Sequence, residues 1–301
     1  MLKKIPLPIT GVMLGMAALG NLLQSYSESL RLVCGAIAGI LGILFLLKVI
    51  VYPKIIVEDM KNPIMASVSG TFSMALMLLS VYVKPYIGGV AIVLWYIAIV
   101  LHIALILYFT MKFMCKLEMP KVFASYFIVY VGIVVVSITA PAYEQVMLGT
   151  VAFWFGFVSL LVLLGLITYR YMKFKEIPEP ARPLCCIFAA PTSLCLAGYI
   201  QSVTPKSSVM IGFLAILATC IYVGVLIQLP KFLKLKFYPS YAAFTFPFVI
   251  SAIGMKMTMA YLANAGSPLG FLQYVVLVQT IVAAVLTIYT LVRYCVAVVA
   301  D

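Results

Sequence analysis

The stretch YPSYAAFTFPFVI, residues 238–250, opens a hydrophobic run long enough to cross a membrane, yet it places Pro247 inside that run between two phenylalanines. A proline within a helix deletes one backbone hydrogen bond and collides with the preceding turn, at a cost of about 3 kcal/mol or more in water. In lipid the freed carbonyl has no water to turn to, so such a segment must line a wet cavity or pack against protein. Three other stretches align with this one on an entry proline: NPIMASVSGTF (62–72), MPKVFASYFIV (119–129) and RPLCCIFAAPT (182–192). With Pro6 or Pro8 near the start, the series continues through Pro63, Pro120, Pro180 or Pro183, and Pro239; taken through Pro6 and Pro180, the spacings are 57, 57, 60 and 59 residues. Seven or eight residues beyond the proline stand Gly15, Gly70, Pro191 and Pro247, while the third unit has Phe127 there, followed by Ile128. A period of this length marks a five-unit array. The units run over about 1–54, 55–116, 117–175, 176–234 and 235–301, forming one transmembrane domain over 1–301.

Composition sets the class around that repeat. Of 301 residues, 65% are hydrophobic and only 9% charged, and the mean hydropathy is +1.20, which describes a polytopic membrane protein. The net charge of +12 does not point to nucleic acid, because no stretch forms a basic patch on a soluble surface. The spacing predicts ten spans, at 8–25, 30–52, 65–83, 87–114, 121–140, 146–170, 183–202, 208–230, 240–262 and 268–297. Short, nearly uncharged joints pair them as five helical hairpins. Placing both termini and the loops after even spans on one side collects sixteen of the twenty Lys and Arg there, which predicts that side to be cytoplasmic. The same split predicts that the first span is retained, since cleaving it as a signal peptide breaks the charge pattern.

Polar residues divide the spans into two kinds. Odd spans carry Thr10, Ser67, Ser69, Thr71, Ser73, Ser125, Tyr126, Ser137, Thr192, Ser193, Thr245 and Ser251, whereas even spans read like CGAIAGILGILFLL (34–47). Polar groups are costly in lipid, so the odd spans are expected to form an inner ring around a central pore, with the even spans outside. The eight acidic residues, from Glu28 to Asp301, all fall outside span interiors, and a route without carboxylates, with a cationic mouth, suits an anion better than a cation. Lys256 is read either as a lysine snorkelling to the outer interface or as a site of anion attraction. His102 is read as a buried, hydrogen-bonded residue on an outer helix. The seven cysteines, the vicinal Cys185–Cys186 included, lack metal-ligand spacing and read as small buried residues. No metal site, cofactor or catalytic constellation is expected.

Ten helices as five hairpins, the opening PLPITGVMLGMAALGN (6–21), the segment ARPLCCIFAAPTSLCLAGY (181–199) and FTFPF (244–248) together resemble the tellurite-resistance and dicarboxylate transporter family, TehA-like and related to the plant guard-cell slow anion channels. The resemblance spans essentially the whole chain. It implies a quasi-fivefold all-α bundle in a prokaryotic plasma membrane, a central path for small inorganic or organic anions, and a homotrimer. It also implies a phenylalanine plug on the ninth helix, assigned to Phe246 with Phe244 as the second choice. The inner helices are expected to be kinked at Gly15, Gly70, Pro191 and Pro247, with Phe127 at the matching position of the third unit, and these residues are expected to line the pore with Thr71, Ser193 and Thr245. Two readings follow: an anion channel, or a secondary carrier of C4-dicarboxylate, sulfite or tellurite-type oxyanions. The spans hold no paired arginines to clamp two carboxylates, which weighs against dicarboxylates.

Overall fold

The structure is a computed structural model that describes residues 2–299, and among them no strand occurs. Asp301, counted above with the acidic residues, lies outside the described residues. The helices are α1 (Ile9–Leu23), α2 (Glu28–Val51), α3 (Pro53–Asp59), α4 (Pro63–Val68), α5 (Gly70–Ile87), α6 (Val90–Phe109), α7 (Tyr126–Tyr130), α8 (Val135–Thr139), α9 (Val146–Lys173), α10 (Ala189–Ser202), α11 (Ser208–Leu233), α12 (Phe246–Asn264) and α13 (Leu272–Val299). Tight 3₁₀ turns precede α10 at Glu179–Phe188 and α12 at Pro239–Phe244. Helices adjacent in sequence pack as antiparallel neighbours: α1 on α2, α5 on α6, α8 on α9, α10 on α11 and α12 on α13.

Eight stretches are long and apolar enough to cross a membrane, while Ile9–Leu23 and Gly132–Tyr143 are apolar but shorter. The first and fifth of the ten expected spans are therefore corrected in form. At 1.5 Å per residue, the 15 residues of α1 rise only about 22 Å, short of a hydrocarbon core of about 30 Å. Around 119–143 the chain breaks into α7, a 3₁₀ turn at Gly132–Val134, α8 and a second 3₁₀ turn at Ala140–Tyr143. Gly132 and the β-branched run Ile133–Val136 favour helix poorly, so nothing local carries one helix through this stretch.

Burial separates two layers. In Pro63–Ile87, Glu179–Ser202 and Pro239–Asn264 the buried share is 61%, 83% and 56%, against 28% to 39% in α2, the stretch from α6 to Met114, α9, α11 and α13. α1 buries nearly every residue it has. The inner layer thus consists of five segments: α1, Pro63–Ile87, 119–143, Glu179–Ser202 and Pro239–Asn264. One helix departs from the sequence contrast: the outer α13 buries Gln279, Thr280, Thr287 and Thr290.

Pro191 and Pro247 do not interrupt continuous helices. Pro247 is the second residue of α12, behind a turn at Thr245 (φ −100°, ψ −95°), so its missing N–H is one that the first helical turn leaves free in any case. Pro191 likewise falls in the first turn of α10, and Gly70 is the first residue of α5 after a break at Ser69. Gly15 differs, because α1 runs through it without interruption. Its role is close approach: a Cβ there would collide with the Thr245 side chain and come within 3.2 Å of the Phe246 amide nitrogen.

Hydroxyl hydrogen bonds join each inner segment to the next. Thr10 meets Thr71 at 2.7 Å, Ser67 donates to Ser125 at 2.8 Å, Ser202 donates to the Ser137 carbonyl at 2.5 Å, and Ser193 meets Ser251 at 3.1 Å. Thr245 then donates to the Gly11 carbonyl at 3.0 Å, returning from the last segment to the first. Such bonds within a membrane contribute about 0.6–2 kcal/mol each.

Gly15→Val is expected to destabilise the protein by about 1–3 kcal/mol through overpacking against Thr245. Gly39→Ala, whose Cβ meets nothing within 4 Å, is expected to hold or raise stability by up to about 1 kcal/mol through helix propensity. Thermal unfolding in detergent reads both; equal midpoints for the two variants would contradict the close-approach role.

Candidate functional site

A cavity of about 240 Å³ opens among the inner segments, and each lining residue belongs to one of them or to the residues that lead into it. At its rim stand Asn62, Pro178, Pro180, Tyr238 and Pro239, all at entries to inner segments, on the side where the basic loops gather. Its last lining residues along the five segments are Leu14, Met74, Gly132, Leu194 and Pro247, with Phe246 beside the last. The cavity is thus a funnel from the basic side that closes partway along the bundle. The wall is chiefly aliphatic, aromatic and proline, with Thr71, Tyr238 and Ser240 as its hydroxyl-bearing side chains.

The expected site residues divide between the wall and the joints behind it. Thr71, Phe127, Pro191, Pro247 and Phe246 line the cavity. Gly15, Gly70, Ser193 and Thr245 do not; they sit where one inner segment meets its neighbour, Ser193 and Thr245 in the hydroxyl joints and Gly15 and Gly70 at close contacts. A hydroxyl in a helix bonds readily to a carbonyl one turn back, as Ser193 does with Ala189 (2.9 Å), and its remaining capacity here goes sideways to the next segment.

The three phenylalanines of FTFPF have different surroundings. Phe244 is fully buried, off the cavity wall, with its ring 4.7 Å from that of Tyr241. Phe248 is packed at 5.8 Å from the Tyr222 ring. Phe246 lines the cavity and, among the described residues, makes no ring-to-ring pair. Phe127, the residue that replaces Gly or Pro in the third unit, faces the cavity from the other side and packs edge-on at 5.5 Å against Phe188.

Buried cations and the histidine lie outside the wall. Lys256 donates to the Leu22 carbonyl (2.9 Å) and to Ser25 (2.5 Å), so its charge caps the C-terminal end of α1 at the far end from the funnel mouth. Lys48 donates to the Ile5 carbonyl (2.5 Å), and Arg170 donates to the carbonyls of Pro120 and Phe174 at 3.0 Å and 3.2 Å, each fastening a segment entry to an outer helix. Both are among the sixteen basic residues counted on the cytoplasmic side, and only tertiary packing brings carbonyl acceptors to them. His102 bridges Ser73 (2.8 Å) and the Val129 carbonyl (3.0 Å), tying α6 to two inner segments behind Gly70 and Gly132.

A family model described as "Voltage-dependent anion channel" matches residues 4–295 of the chain. No curated protein matches it.

Single-cysteine substitutions test the wall. With exposed Cys115, Cys220 and Cys295 and half-buried Cys185 replaced by serine, Ala190→Cys and Ala243→Cys are expected to react with a charged, water-soluble thiol reagent added on the basic side, whereas Ala197→Cys, buried off the wall, stays unmodified. Equal labelling at all three positions would contradict the funnel.

Proposed function

The chain belongs to the voltage-dependent anion channel family, and from that premise we propose that it conducts small anions along the axis of its five inner segments, through a path entered at the cavity and closed at Phe246. The observation that carries this reading is the origin of the cavity wall, which draws on all five inner segments and on none of the outer helices. The reading extends to ten crossings in a quasi-fivefold arrangement, with α1 and the broken 119–143 segment completing the set, both termini on the cytoplasmic side, and a homotrimer in a prokaryotic plasma membrane. In favour of the arrangement, the hydroxyl joints link neighbouring inner segments around a closed circuit. The topology rests on the asymmetry of Lys and Arg; the trimer and the membrane rest on the family resemblance.

The physics of such a path is weak binding. Among the described residues no charged side chain lines the cavity, so an anion there would trade hydration for a few hydroxyl and backbone dipoles, and would leave as readily as it entered. Closure is then steric and dielectric, since a phenyl ring in a narrow apolar section excludes both the ion and the water it needs. Phe246 suits that role because it faces the cavity and no other ring pins it. Phe244, held against Tyr241, suits it less.

Electrical recording in planar bilayers tests this. Phe246→Ala is expected to raise anion current by about tenfold or more, the removal of about 1.4 kcal/mol of barrier or more. Phe244→Ala is expected to leave the current unchanged and to cost about 3–5 kcal/mol of stability. An unchanged current in Phe246→Ala would refute the gate; saturable, counter-transported uptake without current would replace the channel with a carrier.

A further inference from the structure

The rim of the funnel carries one carboxylate that the path described so far does not use. Glu179 lies between Pro178 and Pro180, both of which line the cavity mouth, and its Oε1 accepts a 2.7 Å hydrogen bond from the hydroxyl of Tyr238, a third rim residue. The bond crosses from the entry of one inner segment to the entry of the next, the one that carries Phe246. Three other acidic residues are neutralised locally, Glu28 by Arg31, Glu58 by Lys61 and Glu118 by Lys121, whereas Asp59, Glu144 and Glu176 make no such ion pair among the described residues. Glu179 makes none of the ion pairs found among the described residues. Lys236 stands on the same rim, 5.5 Å from the centre of the Tyr238 ring, without pairing to it.

We propose that Glu179 is a selectivity-determining residue of the anion path: held at the mouth by Tyr238, its carboxylate depresses the local concentration of anions in proportion to their charge, so that the path favours monovalent over divalent anions. This rests on the conduction reading above and sharpens its substrate class. A fixed charge acts on an ion through its valence, and a divalent anion therefore meets twice the electrostatic energy of a monovalent one at the same point. Two unit charges about 10 Å apart in water interact by a little less than RT. That corresponds to about twofold exclusion of a monovalent anion and, by squaring, about fourfold exclusion of a divalent one. The aliphatic wall beyond the rim adds no compensating positive charge, so the bias set at the mouth persists into the funnel.

Glu179→Gln separates charge from architecture, because the amide oxygen still accepts the Tyr238 hydrogen bond. In the Phe246→Ala parent, with chloride or sulfate supplied from the funnel side at about 10 mM ionic strength, Glu179→Gln is expected to raise chloride current about twofold and sulfate current about fourfold. At about 1 M, where the screening length falls to about 3 Å, both differences should vanish. Tyr238→Phe keeps the charge but releases it from the rim, and should give part of the same change in the chloride-to-sulfate ratio. An unchanged ratio in Glu179→Gln at low ionic strength, beside measurable current in the parent, would overturn this inference and leave the conduction reading standing. No current from either anion in the parent would overturn the conduction reading, and this inference with it.

Discussion

Every peptide group buried in a bilayer must find its hydrogen-bond partner inside the protein, and the rest of this structure follows from that requirement. A continuous helix meets it unaided, and the outer layer consists of such helices, 20 to 28 residues long. A broken helix meets it only when neighbours or water supply the missing partners. Breaks accordingly fall in the inner layer: at Ser69, through 119–143, before α10 and before α12. The prolines of the repeat lie at the starts of helices or inside 3₁₀ turns there, where a missing N–H costs least.

The same requirement explains where the hydroxyls go. Read as side chains on inner helices, they were expected to face the path, but three of the joints between inner segments consume hydroxyls from both partners, and Ser202 and Thr245 spend theirs on the carbonyls of Ser137 and Gly11. A hydroxyl directed at a neighbouring segment holds the ring together, and one directed into an apolar cavity must be hydrated to be tolerated. The ring is therefore bonded sideways, and the funnel it encloses is left largely aliphatic and aromatic. In the conduction we propose, such a wall transmits ions by weak contact and closes by excluding water, and the charge-based choice between ions falls to the rim, where Glu179 and the basic loops are.

Departures from the repeat are concentrated in the third unit. It lacks Gly or Pro at the position that opens α5 and starts α10 and α12, and carries Phe127 there instead. Its helix breaks later, at Gly132, and Phe127 faces the cavity while packing edge-on against Phe188. The circuit of five segments closes in spite of this, through Ser125 on one side and Ser137 on the other.

Much of the fold was legible in the chain alone, because the signals involved are one-dimensional. Hydropathy is summed along a segment, the entry prolines recur with a period near 57 residues, and the contrast between aliphatic and hydroxyl-bearing runs tells which segments cannot tolerate lipid. Those features determined the hairpins, the two layers and the class of membrane protein. The role of each polar side chain was not legible in this way. Thr71 and Thr245 look alike in sequence and both serve joints, yet of the two Thr71 alone also lines the wall; Phe244 and Phe246 are two residues apart, yet one is packed on Tyr241 and the other faces the cavity. Lys256 had a free choice between the path and the interface until the end of α1 offered it a carbonyl. A side chain's direction depends on the turn before its helix and on which acceptor a neighbouring segment presents, and both are properties of three-dimensional packing that no pattern along the chain records.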